Sequence, residues 1–158
     1  MPGSAEDRLK ALGYELPTVP SPAGSYVPAT RAGNLLFTAG QLPFREGQLW
    51  HTGKVGQNVS VEEAKEAARL CVLNALAAVE AETGSLANVR RVVKVTGYVA
   101  SAASFNGQPE VMNGASEFLG EVFGEKGLHA RSAVGVAEPP LDAPVEVELI
   151  VELSSSQA

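Results

Sequence analysis

The order of periodicities along the chain predicts an α+β protein, one mixed β-sheet with two helices packed on one of its faces. Three observations carry that prediction. Two long segments, 60–84 and 108–124, repeat apolar residues at helical spacing. Runs at 89–101, 131–137 and 145–153 are rich in β-branched residues and read as strands. The last run alternates strictly: Val145, Val147, Leu149, Val151 and Leu153 share one face, while Glu146, Glu148, Ile150 and Glu152 share the other. A helix layer can cover the first face. The carboxylate face needs water or a second subunit, because buried unpaired charge is strongly destabilising.

Each element follows from local chemistry. Residues 3–12 can form a short helix, with Ser4 as N-cap and Gly13 as its stop. Pro17, Pro20 and Pro22 then force an extended arm, which is ordered only if it lies along something. Residues 26–30 and 35–39 read as short strands around a four-residue turn, Arg31-Ala32-Gly33-Asn34. Residues 44–47 mark another turn, and Gln48-Leu49-Trp50-His51 is a candidate third strand, with Trp50 a packing residue. Ser60-Val61-Glu62-Glu63 fits a capping box. The helix it opens carries Ala64, Ala67, Ala68, Cys71, Ala75, Leu76 and Val79 at helical spacing and ends at Gly84. That side is mostly small and suits close approach to a sheet. Cys71 reads as core rather than nucleophile, since nothing near it in sequence would depress its pKa. Val92, Val93, Val95, Thr96 and Val99 make 89–101 a strand. Pro109 suits the first turn of the second helix, 108–123, whose apolar stripe is Val111, Met112, Ala115, Phe118, Leu119 and Val122. Gly124 and Gly127 end it.

Composition bounds the function. A chain of 158 residues, 45% hydrophobic and 19% charged, is an ordinary globular domain with a core of its own. No apolar run approaches the roughly 18–20 residues needed to cross a bilayer, and Met1 to Lys10 lacks the apolar stretch of a secretory signal. With one cysteine no internal disulfide is possible, so a cytoplasmic location is expected. The formal charge of −6 argues against nucleic acid as a partner. Arg90-Arg91 with Lys94 reads as the solvated start of a strand. His51 and His129 are far apart with no cysteine near either, so no metal or haem is expected.

The candidate chemistry lies in the last third. His129-Ala130-Arg131-Ser132-Ala133-Val134 opens a strand with an arginine; Pro139-Pro140-Leu141-Asp142-Ala143-Pro144 turns the chain; Val145-Glu146-Val147-Glu148-Leu149 follows. An arginine at one strand end and a glutamate at the start of the partner strand can face one pocket. Such a pair would hold an anionic substrate and handle a proton or a water.

Five segments stand out together: Tyr26-Val27-Pro28, Gly33-Asn34-Leu35-Leu36-Phe37-Thr38-Ala39-Gly40-Gln41-Leu42-Pro43, Val111-Met112-Asn113, Arg131-Ser132-Ala133-Val134 and Val145-Glu146-Val147-Glu148. In this order they resemble the RidA/YjgF family of reactive-intermediate imine and enamine deaminases. The likeness spans residues 24–153, so residues 24–158 are expected to be one RidA-like domain and residues 1–23 an N-terminal extension able to line or cap a cleft. The resemblance implies a chorismate-mutase-like fold and a homotrimer whose sheets line a barrel-like interior, with clefts between subunits. It implies cofactor-free hydrolysis of 2-imino acids, formed from enamines, to 2-keto acids and ammonia. Carried over by position, Arg131 would grip the substrate carboxylate through its planar fork. Glu146 would orient or activate water. The Ala39-Gly40 backbone would approach the ligand, Tyr26 would wall the cleft, and Asn113 would be a nearby polar support.

Two departures bear on activity. Ala39 stands where the family's deaminases often carry serine, and Ala133 where they often carry cysteine. Both changes remove polar groups and enlarge or dry the pocket. They favour an alternative, a non-catalytic trimeric module that binds small carboxylates; retained Glu146 favours the enzyme, since carboxylate binding has no need of a second anion. An RNase activity, reported for some relatives, is disfavoured by the net charge and by the lack of a histidine pair.

Overall fold

The computed structural model describes residues 3–19, 21–22 and 24–154. Pro20, and residues 155–158 of the expected domain, lie outside them. The helix α1, Ala5–Ala11, begins with a capping box: Ser4 Oγ accepts from the Asp7 N–H at 3.0 Å and the Asp7 carboxylate accepts from the Ser4 N–H at 3.3 Å. The arm that follows lies along the helix layer. Tyr14 meets Phe118 edge-on at 5.0 Å, donates to Glu66 at 3.4 Å, and is followed by Leu16 packed on the core.

Strands β1, Ala29–Ala32, and β2, Leu35–Thr38, form a hairpin. Its turn is tighter than the sequence suggests. Arg31 and Ala32 belong to the strand, and Gly33, with φ +62, opens a two-residue turn of the kind that matches strand twist. The 26–28 segment precedes the strand. The expected third strand is also different: β3, Phe44–Arg45, pairs with β4, Gln48–Leu49, as a small separate hairpin. Glu46 and Gly47 both have positive φ, so the chain reverses between them, and His51, with φ +64, ends the extension.

The principal sheet has the order β1-β2-β7-β5-β6, with β5 spanning Val89–Ala100, β6 Ala130–Val136 and β7 Val145–Leu153. Only β5 and β6 run parallel. Helices α2, Val61–Thr83, and α3, Gln108–Phe123, cover one face. Ser60 and Glu63 cap α2 reciprocally and Gly84, at φ +88, stops it. Small residues let the layers close: a Cβ on Gly114 of α3 would sit 2.9 Å from Lys65 Cα of α2, and one on Gly97 of β5 would sit 2.7 Å from Met112 Cγ. Among the described residues no helix is long and apolar enough to cross a membrane.

The alternation of β7 is realised in full. Its five apolar odd positions are buried under α2, and Glu146, Glu148, Ile150 and Glu152 are partly exposed on the other face. Two register shifts in β5 keep Val89, Val92, Val95 and Val99 on the buried side. Cys71 is fully buried, its thiol 3.5 Å from the Val145 carbonyl, and burial pushes its pKa well up. Arg91 pairs with Glu152 at 2.7 Å, as a solvated strand start would.

Candidate functional site

Arg131 sits on the edge strand β6 beside Val95 of β5. Val95 faces the helices, so the arginine does too, and α3 receives it. Nη1 donates to Asn113 Oδ1 at 2.9 Å and to Ser116 Oγ at 3.1 Å; Nη2 donates to the Pro109 carbonyl at 3.3 Å. All three acceptors are neutral. Among the described residues no carboxylate is within ion-pair distance of Arg131. A guanidinium has five N–H donors in a fixed fork. Here the Nε–H and one Nη2–H are left over, on an edge that is partly exposed.

Glu146 opens β7 on the other face, beside Tyr98 of β5. Its surroundings are shaped by a bulge in β2. Phe37 pairs with Ile150, yet Gln41 pairs with Val147, so β2 holds one residue more than its partner across that interval. Thr38 Oγ1 accepts from the Leu149 N–H at 3.0 Å, filling the broken ladder. The bulge presents Gly40 to the carboxylate: a Cβ there would sit 2.9 Å from Glu146 Cδ and closer still to Oε2. Only a residue without a side chain admits the carboxylate in this position. Burial raises the Glu146 pKa, and Glu148 adds to the effect. Glu148 is itself engaged, accepting from the Tyr98 hydroxyl at 2.9 Å. Among the described residues no donor is bonded to Glu146.

Within one chain these two groups do not share a pocket. The sequence suggests that β6 and β7 are partners, but β5 lies between them, so Arg131 and Glu146 are two strand spacings apart, about 10 Å, and are offset by a further three residues along β5, roughly another 10 Å. They also point to opposite faces, because the β5–β6 register sets Arg131 beside a helix-facing valine and the β5–β7 register sets Glu146 beside an outward tyrosine. Asn113 and Ala133 lie with Arg131; Ala133 stands beside Gly97 and packs on the core. Ala39 and Gly40 lie with Glu146. Tyr26 is 51% exposed on the segment leading into β1, and two residues on the Pro28 carbonyl accepts from the Ala39 N–H at 2.8 Å.

Two residues that sequence reasoning passed over belong to the arginine side. Ser116 lies one turn beyond Asn113 on α3, and His129 lies two residues before Arg131. The His129 ring contacts Ser116 Oγ through Nε2 at 2.9 Å. Spacings of three on a helix and two on a strand put such residues on shared faces, and that signal was present in the sequence. No three His, Cys, Asp or Glu side chains cluster as a metal site requires among the described residues.

A family model described as "YjgF/chorismate mutase-like, putative endoribonuclease" matches residues 6–153. The chain belongs to the YjgF family. The match takes in α1 and the arm as well as the sheet and the principal helices. Protein TCP17 of Trypanosoma cruzi is 42% identical over 154 residues, covering 97% of this chain and 96% of its own. A 2-iminobutanoate/2-iminopropanoate deaminase of Dermatophagoides farinae is 32% identical, over 85% of this chain and 91% of its own. Among solved structures, protein Atu1372 of Agrobacterium tumefaciens, of unknown function, matches with a TM-score of 0.90 and 48% identity, covering 95% of this chain and 92% of that one. The mixed sheet with its helix layer is thus the YjgF fold, and the family includes imine deaminases.

Proposed function

We propose that this protein is a cofactor-free hydrolase of small 2-imino and enamine acids. Arg131 of one subunit holds the substrate carboxylate, and Glu146 of a neighbouring subunit handles the water. The observation that carries the reading is the state of Arg131. Its guanidinium is fixed by three neutral acceptors and, among the described residues, is compensated by no carboxylate and keeps two N–H groups without an acceptor. An arginine kept only for fold stability at a strand end would be expected in an ion pair; this one is prepared for an anion from outside.

The chemistry then follows from the residues. The fork takes the two oxygens of the substrate carboxylate. Water adds to C2 of the imine, and Glu146, its pKa raised by burial, accepts the proton as the C–O bond forms. The same carboxyl returns the proton to the amine nitrogen; the C–N bond then breaks as the C2 hydroxyl becomes the carbonyl and passes its proton back to Glu146, and ammonia and a 2-keto acid leave. Gly40 leaves the room in which this carboxylate moves.

Because the two halves lie on opposite faces, the site is complete only between copies of the chain. A homotrimer with the open sheet faces turned to a shared interior meets that need, and Leu35, Phe37 and Val134, all well exposed on that face, are suited to such contact. The non-catalytic carboxylate binder draws on Ala39 and Ala133, which bring no polar group to the site. The readings separate in one assay: ammonia release with an imino acid generated in situ by an amino-acid oxidase, run beside calorimetry with pyruvate. The enzyme releases ammonia faster than buffer and loses both properties on Arg131→Ala with its melting temperature held. Binding without release supports the binder. A monomer by light scattering at micromolar concentration overturns both.

A further inference from the structure

We propose that Ser116 and His129 are positioning residues that set the guanidinium of Arg131 for its ligand, an inference that rests on the carboxylate-binding role of Arg131 given above. With the His129 ring neutral, the geometry allows only one assignment of hydrogens. His129 Nδ1 is bonded to the Gly127 carbonyl, which can only accept, so Nδ1 carries the proton. In the neutral ring Nε2 is then an acceptor, and the Ser116 hydroxyl donates to it at 2.9 Å. That leaves a lone pair of Ser116 Oγ for Nη1 of Arg131 at 3.1 Å. Donors therefore run in one direction, from Arg131 to Ser116, to His129, to a backbone carbonyl.

The far end of the chain is rigid. Gly127 is buried in the 3₁₀ turn after α3, and a Cβ there would sit 2.8 Å from the Leu119 carbonyl carbon. The acceptor is thus fixed by close contact with α3, and each link polarises the next. Without His129 the Ser116 hydroxyl is free to rotate and offer its hydrogen toward the guanidinium, which repels it. With the imidazole neutral, every group in the chain apart from Arg131 is uncharged. The arginine is oriented without being neutralised, which a carboxylate partner would not permit.

The test is a set of variants assayed for pyruvate binding by calorimetry and for imine hydrolysis with 2-iminopropanoate generated in situ. Ser116→Ala and His129→Ala should each raise Kd and KM on the order of 10-fold, the low end of what outer-shell partners supply, with kcat within about twofold. In the Ser116→Ala background the His129 change should cost nothing further, since both act through one chain. His129→Gln, whose amide oxygen accepts from Ser116, should recover most of the affinity. Single variants that bind pyruvate as wild type does, while Arg131→Ala does not, overturn the positioning role and leave the deaminase reading standing. Loss of kcat with KM unmoved, or additive losses in the double variant, also overturn it. Wild type that fails to bind pyruvate, or Arg131→Ala that binds it equally well, overturns both. Should His129→Ala fail to fold, Ser116→Ala, which deletes only an oxygen, carries the test.

Discussion

Gly40→Ala separates the position of Glu146 from the stability of the fold. The added Cβ would sit 2.9 Å from Glu146 Cδ, 3.2 Å from Cγ and closer to Oε2, whereas carbon atoms in contact prefer about 3.5–4.0 Å. The carboxylate must retreat by roughly 1 Å, and it is the free end of a flexible side chain, so it has somewhere to go. The backbone at Gly40 is not among the positive-φ glycines, so alanine brings no conformational strain and removes unfolded-state freedom worth about 0.4–1 kcal/mol. The melting temperature should therefore stay close to wild type. A displacement of about 1 Å in a group that handles the attacking water costs on the order of 10²-fold in rate. Pyruvate binding, which rests on Arg131, should be retained. Steady-state ammonia release, calorimetry and a thermal melt on the one variant decide the matter. A variant with unchanged kcat refutes the argument, because the carboxylate will have moved without consequence. So does one that loses pyruvate binding and kcat together.

Glu146→Gln should slow hydrolysis by about 10²–10⁴-fold while binding is kept. It should also raise stability at neutral pH. A carboxyl whose folded pKa is raised above its ordinary value of 4.5 favours the native state below that value and weakens it as pH climbs through the folded one. The gain should then shrink to nothing as pH falls below the ordinary carboxyl range, and melts from about pH 3 to 8 would show it. Gly97→Ala should destabilise by about 1–3 kcal/mol in urea, since the new methyl meets Met112, buried in α3 next to Asn113. Ser60→Ala should cost about 1 kcal/mol by removing the cap on α2, measured the same way.

Much of this was legible in the sequence because local chemistry and tertiary packing agree. The capping box at Ser60, the stop at Gly84 and the alternation of β7 each have a local cause that the fold repeats. The hairpins were less legible. Glu46 adopts a positive φ that its side chain does not announce, and the β1–β2 turn is set by one glycine rather than by the four residues that look turn-like. The pairing of β6 and β7 was misjudged because both are adjacent in sequence, while both in fact flank β5. Nothing in a single chain's periodicity states strand order. The same blindness hid the opposite facing of Arg131 and Glu146, which depends on two registers read together.

That opposite facing has a physical reason. An arginine and a glutamate on one face of one chain, near enough for chemistry, would pair with each other. At 4 Å and an effective dielectric of about 20 their attraction is about 4 kcal/mol, which an incoming carboxylate would have to displace. Here β5 and the thickness of the sheet keep them apart. Arg131 is held by an amide, a hydroxyl and a carbonyl, with no carboxylate at ion-pair distance among the described residues. Glu146 is desolvated beside Glu148 and keeps a raised pKa, which an arginine at ion-pair distance would lower. In the proposed assembly the two meet only across a cleft, with the substrate between them. The substrate carboxylate then takes the fork, and the imine carbon lies toward the carboxyl that handles water. On that proposal, a site split between subunits preserves in each half the property that the reaction would use.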